Sequence, residues 1–171
     1  MAKKITPFLW FDGQAEEAAK FYVSVFSRGK VGKVRRWGKG TPAPEGSVMS
    51  VDFTIEGVSF VAFNGGPHFK FTPAFSLSVD CKDQKEIDAL WRKLTKGGAA
   101  ERCGWLRDRF GMSWQIVPSH LDKLLQDPGC MQAMLTMDKL DVRAIERAAT
   151  QAVPLKKAAK KAGSTARKTA R

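Results

Sequence analysis

The sequence predicts an α+β fold of two βαβββ modules that form a curved half-barrel sheet, followed by C-terminal helices and a basic tail. Alternating apolar strands and amphipathic helices occur in the same order twice along the chain. The stretch 6–12 can also be laid over the stretch 74–80, and such self-similarity indicates internal duplication. Chance similarity between short strand patterns is the alternative. We expect modules at about 5–64 and 74–118, with C-terminal helices at about 120–150.

Composition favours one cytoplasmic domain over residues 1–150, followed by a tail. A chain of 171 residues can bury one good core, and 43% of its residues are hydrophobic. Its mean hydropathy is −0.28, and no apolar run is long enough to cross a membrane. The three cysteines form no Cys-x-x-Cys pair, so we expect free thiols. We therefore expect no membrane association.

The first module is predicted from periodicity. The apolar residues of its helix recur at i, i+3 and i+4, and those of its strands alternate. In chain order we expect a strand at Ile5–Phe11, a helix at Ala15–Phe26 and strands at Gly29–Trp37, Ser47–Ile55 and Val58–Asn64.

The second module repeats this order and ends in a hairpin. We expect a strand at Ala74–Asp80, a helix at Asp83–Lys96, and strands at Ala100–Trp105, Leu106–Arg109 and Ser113–Val117. Phe110-Gly111 supplies the hairpin turn, and Asp108 with Arg109 is interpreted as a solvated tip. Three helices follow, at Leu121–Gln126, at Cys130–Met137 and after Asp141 as N-cap.

A ligand cavity is expected on the side of the sheet that faces away from the helices. Phe8 and Trp10 point to that side, as do Ser76 and Ser78 if the duplication holds. Aromatic walls with a few polar groups suit a flat or apolar small molecule, although aromatic residues on a sheet are equally consistent with core. The predicted ligand-binding residues are Phe8, Trp10, Asn64, Ser76, Ser78 and Trp105.

Two cavity residues are candidates for catalysis. Cys103 could be a nucleophile if a nearby cation lowered its pKa, and a buried inert thiol is the alternative. Gln115 lies on the last strand of the hairpin, on the side opposite Trp114. Whether the protein is an enzyme is left open by these residues.

The hairpin sequence carries a family resemblance. Cys103 to Pro118 reads CGWLRDRFGMSWQIVP, and it follows FNGGP at 63–67 and Asp83-Gln84 ahead of Leu90-Trp91. Together these motifs resemble the PhnB-like branch of the vicinal oxygen chelate superfamily, over about Ile5 to Thr150. That superfamily also contains glyoxalase I, bleomycin-resistance proteins and extradiol dioxygenases. The resemblance implies the duplicated fold and a homodimer.

The resemblance also implies a divalent metal held by His and Glu, but the matching positions differ here. Thr6 and Ala74 stand at the usual His-type positions, and Gln115 stands where glutamate is common. None offers the imidazole or anionic ligand that a transition metal prefers. His68 and His120 read as solvated side chains. We therefore predict no metal and no cofactor, with a glyoxalase or dioxygenase-type enzyme using non-standard ligands as the alternative.

Some relatives carry the name of a demethylubiquinone methyltransferase. No Gly-rich loop follows the first strand in the manner of a Rossmann S-adenosylmethionine fold, and residues 64–67 link strands without opening a helix. The sequence does not support that reaction.

The C-terminal tail is a separate feature. Residues 151–171 hold +7 of the formal net charge of +12 and contain no acid. Low hydrophobicity and one charge sign predict disorder, with either weak, salt-sensitive binding to nucleic acid or a solubilising role. The predicted nucleic-acid contacts are Lys156, Lys157, Lys160, Lys161, Arg167, Lys168 and Arg171.

Overall fold

The computed structural model describes residues 4–149, which contain eight strands and five helices. In chain order the elements are β1 Phe8–Phe11, α1 Ala15–Val25, β2 Gly29–Arg36, β3 Val48–Ile55, β4 Val58–Asn64, β5 Ser76–Cys81, α2 Gln84–Leu94, β6 Ala99–Ala100, β7 Trp105–Arg107, β8 Ser113–Pro118, α3 Leu121–Leu124, α4 Pro128–Leu135 and α5 Val142–Ala149. The predicted α+β class and the two βαβββ modules are confirmed. The tail and its seven cations lie outside the described residues.

Each module has its own four-stranded sheet, and the two sheets share one topology. Sheet A runs β1-β4-β3-β2 and sheet B runs β5-β8-β7-β6. In both sheets the first strand of the module is parallel to the last, and the remaining pairs are antiparallel. The two sheets are therefore topological copies of each other, as a duplicated module predicts.

Both module helices lie on one face of their sheet. On α1 the buried residues include Ala15, Ala18 and Tyr22, and this narrow stripe packs on sheet A. On α2 the buried residues are Ile87, Leu90 and Leu94, and the helix starts with an N-cap in which Asp83 accepts from the Glu86 amide (2.8 Å).

One core joins the helix sides of the two modules. The Trp114 ring on β8 lies 5.4 Å from the Tyr22 ring and 5.6 Å from the Phe26 ring of the other module. Lys93 of α2 donates to the Val25 carbonyl at the end of α1 (3.2 Å). Because the core occupies these faces, the opposite face of each sheet is left outside it. We call that face of sheet A the outer face.

The hairpin between β7 and β8 is organised by a buried carboxylate, which corrects the expected solvated tip. Asp108 is 2% exposed and accepts from the amides of Phe110 (2.8 Å) and Met112 (3.1 Å) and from Trp114 Nε1 (2.8 Å). Burial raises the pKa of Asp108, against the effect of these hydrogen bonds. Arg109 leaves the tip and stacks 4.5 Å from the Phe21 ring centre.

The Tyr22 hydroxyl lies beside the same carboxylate without an ordinary hydrogen bond. Within residues 4–149 this buried oxygen has no hydrogen bond of ordinary geometry, although it lies close enough to Asp108 for the two groups to shift each other's pKa. Burial raises the pKa of Tyr22, and the Asp108 charge acts in the same direction. The hydroxyl is therefore kept protonated next to the hairpin.

Most predicted strands differ from the structure by one or two residues at an end, and two of them differ by more. Ile5 is 85% exposed and β1 begins only at Phe8. The strand expected at Ala100–Trp105 is broken, because Cys103 and Gly104 both adopt left-handed φ values of 62° and 82°. A residue with positive φ cannot continue an extended ladder, so the chain turns there before β7.

The C-terminal helices form a second, smaller cluster against the end of β8. Val117, Cys130, Met134, Leu140 and Ile145 are its buried members. Asp141 caps α5 as predicted, since its carboxylate accepts from the Ala144 amide (2.9 Å). No helix within residues 4–149 is long and apolar enough to cross a membrane.

Candidate functional site

The outer face of sheet A carries an ordered array of side chains. Strand register places Trp10, Phe63, Ser50 and Arg35 in one row across the four strands. In the next row Phe8 pairs with Val61, which pairs in turn with Asp52. The first row therefore runs from aromatic residues on β1 and β4 to polar residues on β3 and β2, and the second runs from Phe8 through Val61 to the carboxylate of Asp52. This gradient marks the face as the candidate site.

Four rings form what we call the aromatic wall: Phe8, Trp10, Trp37 and Phe63. The Phe63 ring is its centre, with ring centroids 5.4 Å from Phe8, 5.2 Å from Trp10 and 6.3 Å from Trp37. Phe8 is 60% exposed although it lies on a strand. Aromatic contacts of this geometry stabilise each other while leaving ring surface for a ligand.

Trp10 is held in one orientation by the segment that follows β4. Its Nε1 donates to the Gly66 carbonyl (2.9 Å), and the Phe69 ring packs 4.9 Å from it. A Cβ atom on Gly65 would lie 2.0 Å from the Trp10 ring. The chain therefore needs glycine at position 65, because only glycine lets the backbone pass this close to the indole.

The polar half of the face is built around an ion pair that sequence reasoning missed. Arg35 donates from both terminal nitrogens to Asp52, at 2.6 and 3.0 Å, and this pair raises the pKa of Arg35. Asp52 alternates with the buried Val51 and Phe53 along β3, which places its side chain on the outer face. The register shift between Val31 and Val34 in β2 concealed its partner.

A groove of about 590 Å³ lies over this half of the face. The ion pair, Lys30 and Gly32 line it, together with Thr6, Thr54, Ser59 and Val61. Gly32 presents no side chain over Asp52, so the carboxylate side of the groove stays open. All of these residues belong to the first module.

The candidates of the second module form a separate group on sheet B. Gln115 Nε2 donates to Ser76 Oγ (2.9 Å), and Gln115 pairs in register with both Ser78 and Trp105. Sequence reasoning correctly placed these residues on one face. None of them lines the groove of sheet A.

Asn64 and Cys103 have structural contacts in this chain. Asn64 Oδ1 accepts from the Ala15 amide at the start of α1 (2.9 Å), and its Nδ2 donates to the Val48 carbonyl (3.0 Å). The Cys103 amide donates to the Met137 carbonyl (2.7 Å), and its side chain packs with the C-terminal cluster. Asn64 therefore joins helix and sheet, and Cys103 lies with the C-terminal helices.

The residues at the family's metal positions do not fit a metal. Thr6 is an exposed hydroxyl on the groove, Ala74 has no donor atom, and the Gln115 amide is already bonded to Ser76. Residues 4–149 contain no cluster of three His, Cys, Asp or Glu side chains close enough to hold an ion. His120 Nε2 lies 3.9 Å from Glu146 Oε1, and neither residue lines the groove of sheet A.

Comparison with known proteins identifies the family. The family model described as 3-demethylubiquinone-9 3-methyltransferase matches residues 3–117. A solved structure from Bacillus cereus, described as a putative 3-demethylubiquinone-9 3-methyltransferase, PhnB protein, is 38% identical; the match covers 68% of this chain and 99% of that one, with a TM-score of 0.63. The chain belongs to the PhnB-like family that this model describes.

Another solved structure supports the fold of this PhnB-like chain. A protein from Pseudomonas aeruginosa is 21% identical over 68% of this chain and 98% of its own, with a TM-score of 0.57. No curated protein sequence matches the chain.

The methyltransferase name of the family model has no counterpart in the described site. Asn64 is occupied by the Ala15 amide and the Val48 carbonyl, and Gly65 lies against Trp10. Residues 65–75 connect β4 to β5 without a helix. A loop of this kind lacks the helix N-terminus that a Gly-rich nucleotide loop supplies, so S-adenosylmethionine does not fit it.

Proposed function

We propose that this PhnB-like protein binds a flat organic molecule on the outer face of sheet A, in a site that holds no metal. The observation that carries the proposal is the row Trp10, Phe63, Ser50 and Arg35, which places an aromatic surface beside a hydrogen-bonding one. Small-molecule sites commonly combine an apolar lining with a few placed polar groups.

Rigidity of the aromatic wall supports this assignment. Trp10 is fixed by the Gly66 carbonyl and by close contact with Gly65, so its ring loses little freedom when a ligand stacks on it. The absence of imidazole and carboxylate at the family's metal positions supports a metal-free site, because Thr6 and Gln115 are poor metal ligands.

The test is binding of 2-naphthamide, a flat neutral probe, measured by ligand-observed NMR and calorimetry. Phe63→Ala should weaken binding by about fivefold, since stacking on one aromatic ring contributes about 1 kcal/mol. Leu135→Ala is the matched control, because Leu135 is an apolar residue 47% exposed on α4. Equal affinity of the parent and Phe63→Ala would refute the proposed site.

Metal content is measured separately. Elemental analysis of dialysed protein should find far less than one transition-metal ion per chain. One ion retained per chain would overturn the metal-free part and favour the enzyme alternative. The homodimer predicted from the family resemblance stays a prediction, which sedimentation velocity checks.

A further inference from the structure

We propose that the ligand is a planar organic monocarboxylate, with its ring system on the aromatic wall and its carboxylate at Arg35. This inference rests on the proposed function and names the ligand class of the same site.

The net charge of the groove favours an anionic ligand. Two cations, Lys30 and Arg35, and one carboxylate, Asp52, line it, so the groove has a net charge of +1. Within residues 4–149 Arg35 and Asp52 pair with each other and Lys30 forms no ion pair, so the excess positive charge of the groove lies on Lys30. A ligand with a single negative charge would neutralise the groove. A neutral ligand would gain nothing from this charge.

The hydrogen-bonding capacity of Arg35 carries the second step. A guanidinium has five N–H groups, and Asp52 takes one from each terminal nitrogen. Three N–H groups are left, one on Nε and one on each terminal nitrogen. Asp52 holds the guanidinium in place, and the Nε–H with a neighbouring terminal N–H can bind a second carboxylate. Thr6, Thr54 and Ser59 add hydroxyls to the lining of the same groove, with Thr54 and Ser59 in the row of Lys30.

The distance between Phe63 and Arg35 on the outer face fits a two-ring acid. Phe63 on β4 and Arg35 on β2 are two strands apart in the same row, which is about 10 Å at ordinary strand spacing. Ser50 lies between them and is 4% exposed, so neighbouring side chains cover it and a ligand in this row would pass over those neighbours without contacting Ser50. A fused two-ring acid spans this distance, with its rings on Phe63 and its carboxylate at the guanidinium.

The experiment compares 2-naphthoate with 2-naphthamide, which have the same rings and differ in charge. We expect the parent protein to bind the carboxylate at least about tenfold more tightly, because a hydrogen bond to a charged group contributes more than a neutral one. Arg35→Met should remove this preference and leave the affinity for the amide within about twofold. Arg35→Lys should restore only part of it, since a lysine keeps the charge and loses the fork.

Lys33→Met is the matched control. Lys33 is an exposed cation on the same strand, within the β2 irregularity, and it does not line the groove. Its loss should change both affinities by less than about twofold at 0.15 M salt. A circular dichroism melt of each variant checks the fold.

The outcomes separate the two proposals. Equal binding of both probes, with Phe63→Ala weakening both, would refute the carboxylate inference and keep the aromatic site. Loss of the preference in Lys33→Met as much as in Arg35→Met would also refute it, because the effect would then be general charge. If neither 2-naphthoate nor 2-naphthamide binds, both proposals are refuted.

Discussion

Replacing Asp108 with alanine should lower the free energy of unfolding by about 3–4 kcal/mol, since buried donors left without an acceptor each cost about 1–3 kcal/mol. The carboxylate accepts from two backbone amides and from Trp114 Nε1. Met112 is fully buried and Trp114 is 1% exposed, so water cannot replace the lost acceptor at either donor. Relief from burying a charge offsets part of this cost.

The assay is urea unfolding followed by circular dichroism, with Asp108→Asn and Trp114→Phe forming a double-mutant cycle. Asn keeps an oxygen for the two amides but turns an NH₂ group toward the indole N–H. The two single changes should therefore couple by about 1–2 kcal/mol. Asp108→Ala within about 0.5 kcal/mol of the parent would refute the reasoning, because exposed sites usually give changes of that size.

The pH dependence has a definite sign. Burial raises the pKa of Asp108 in the folded state above its unfolded value of about 3.9. The folded state then binds more protons than the unfolded state between the two values. The free energy of unfolding of the parent should therefore be highest, relative to that of Asp108→Asn, below about pH 3.9. This difference should decrease as pH rises through the folded-state pKa of Asp108. The opposite slope would contradict burial as the dominant cause.

Three further predictions address other regions. Gly65→Ala should displace the Trp10 ring and weaken 2-naphthamide binding, measured by calorimetry, whereas Gly38→Ala, with nothing within 4 Å of a new Cβ, should leave it unchanged. Cys81 should resist alkylation at pH 8 in peptide mapping, because it is fully buried and burial raises its pKa to about 12; rapid labelling of the folded protein would refute this. The nucleic-acid hypothesis for the tail predicts that deleting residues 151–171 abolishes retention on a DNA column at low salt, and unchanged retention would eliminate that hypothesis.

Secondary structure followed from local pattern where the pattern was long and regular. Val58–Asn64 has the predicted bounds, and Asp141 caps its helix as expected. Phe8 and Trp10 lie on the face that alternation assigned to them. These features depend on neighbours within a few residues, so the sequence carries enough information to predict them.

Structural features that depend on contacts between distant parts of the chain could not be predicted from the sequence. Asp108 next to Arg109 has the composition of a solvated turn, yet rings from α1 and β8 cover it. The Arg35–Asp52 pair requires the register across an irregular β2, which no local pattern gives. The sequence analysis therefore named two of the four rings of the aromatic wall, Phe8 and Trp10, and missed the Arg35–Asp52 pair.

The sequence alone determined the duplicated modules, the family and the neutral residues at the family's metal positions, because each follows from residue type and spacing along the chain. Only the tertiary structure decided which side chains meet: it buried Asp108, used Asn64 to join helix and sheet, and aligned Trp10, Phe63 and Arg35 in one row. Strand pairing and helix packing join residues far apart in the chain, and their register is set by the whole core rather than by any one segment.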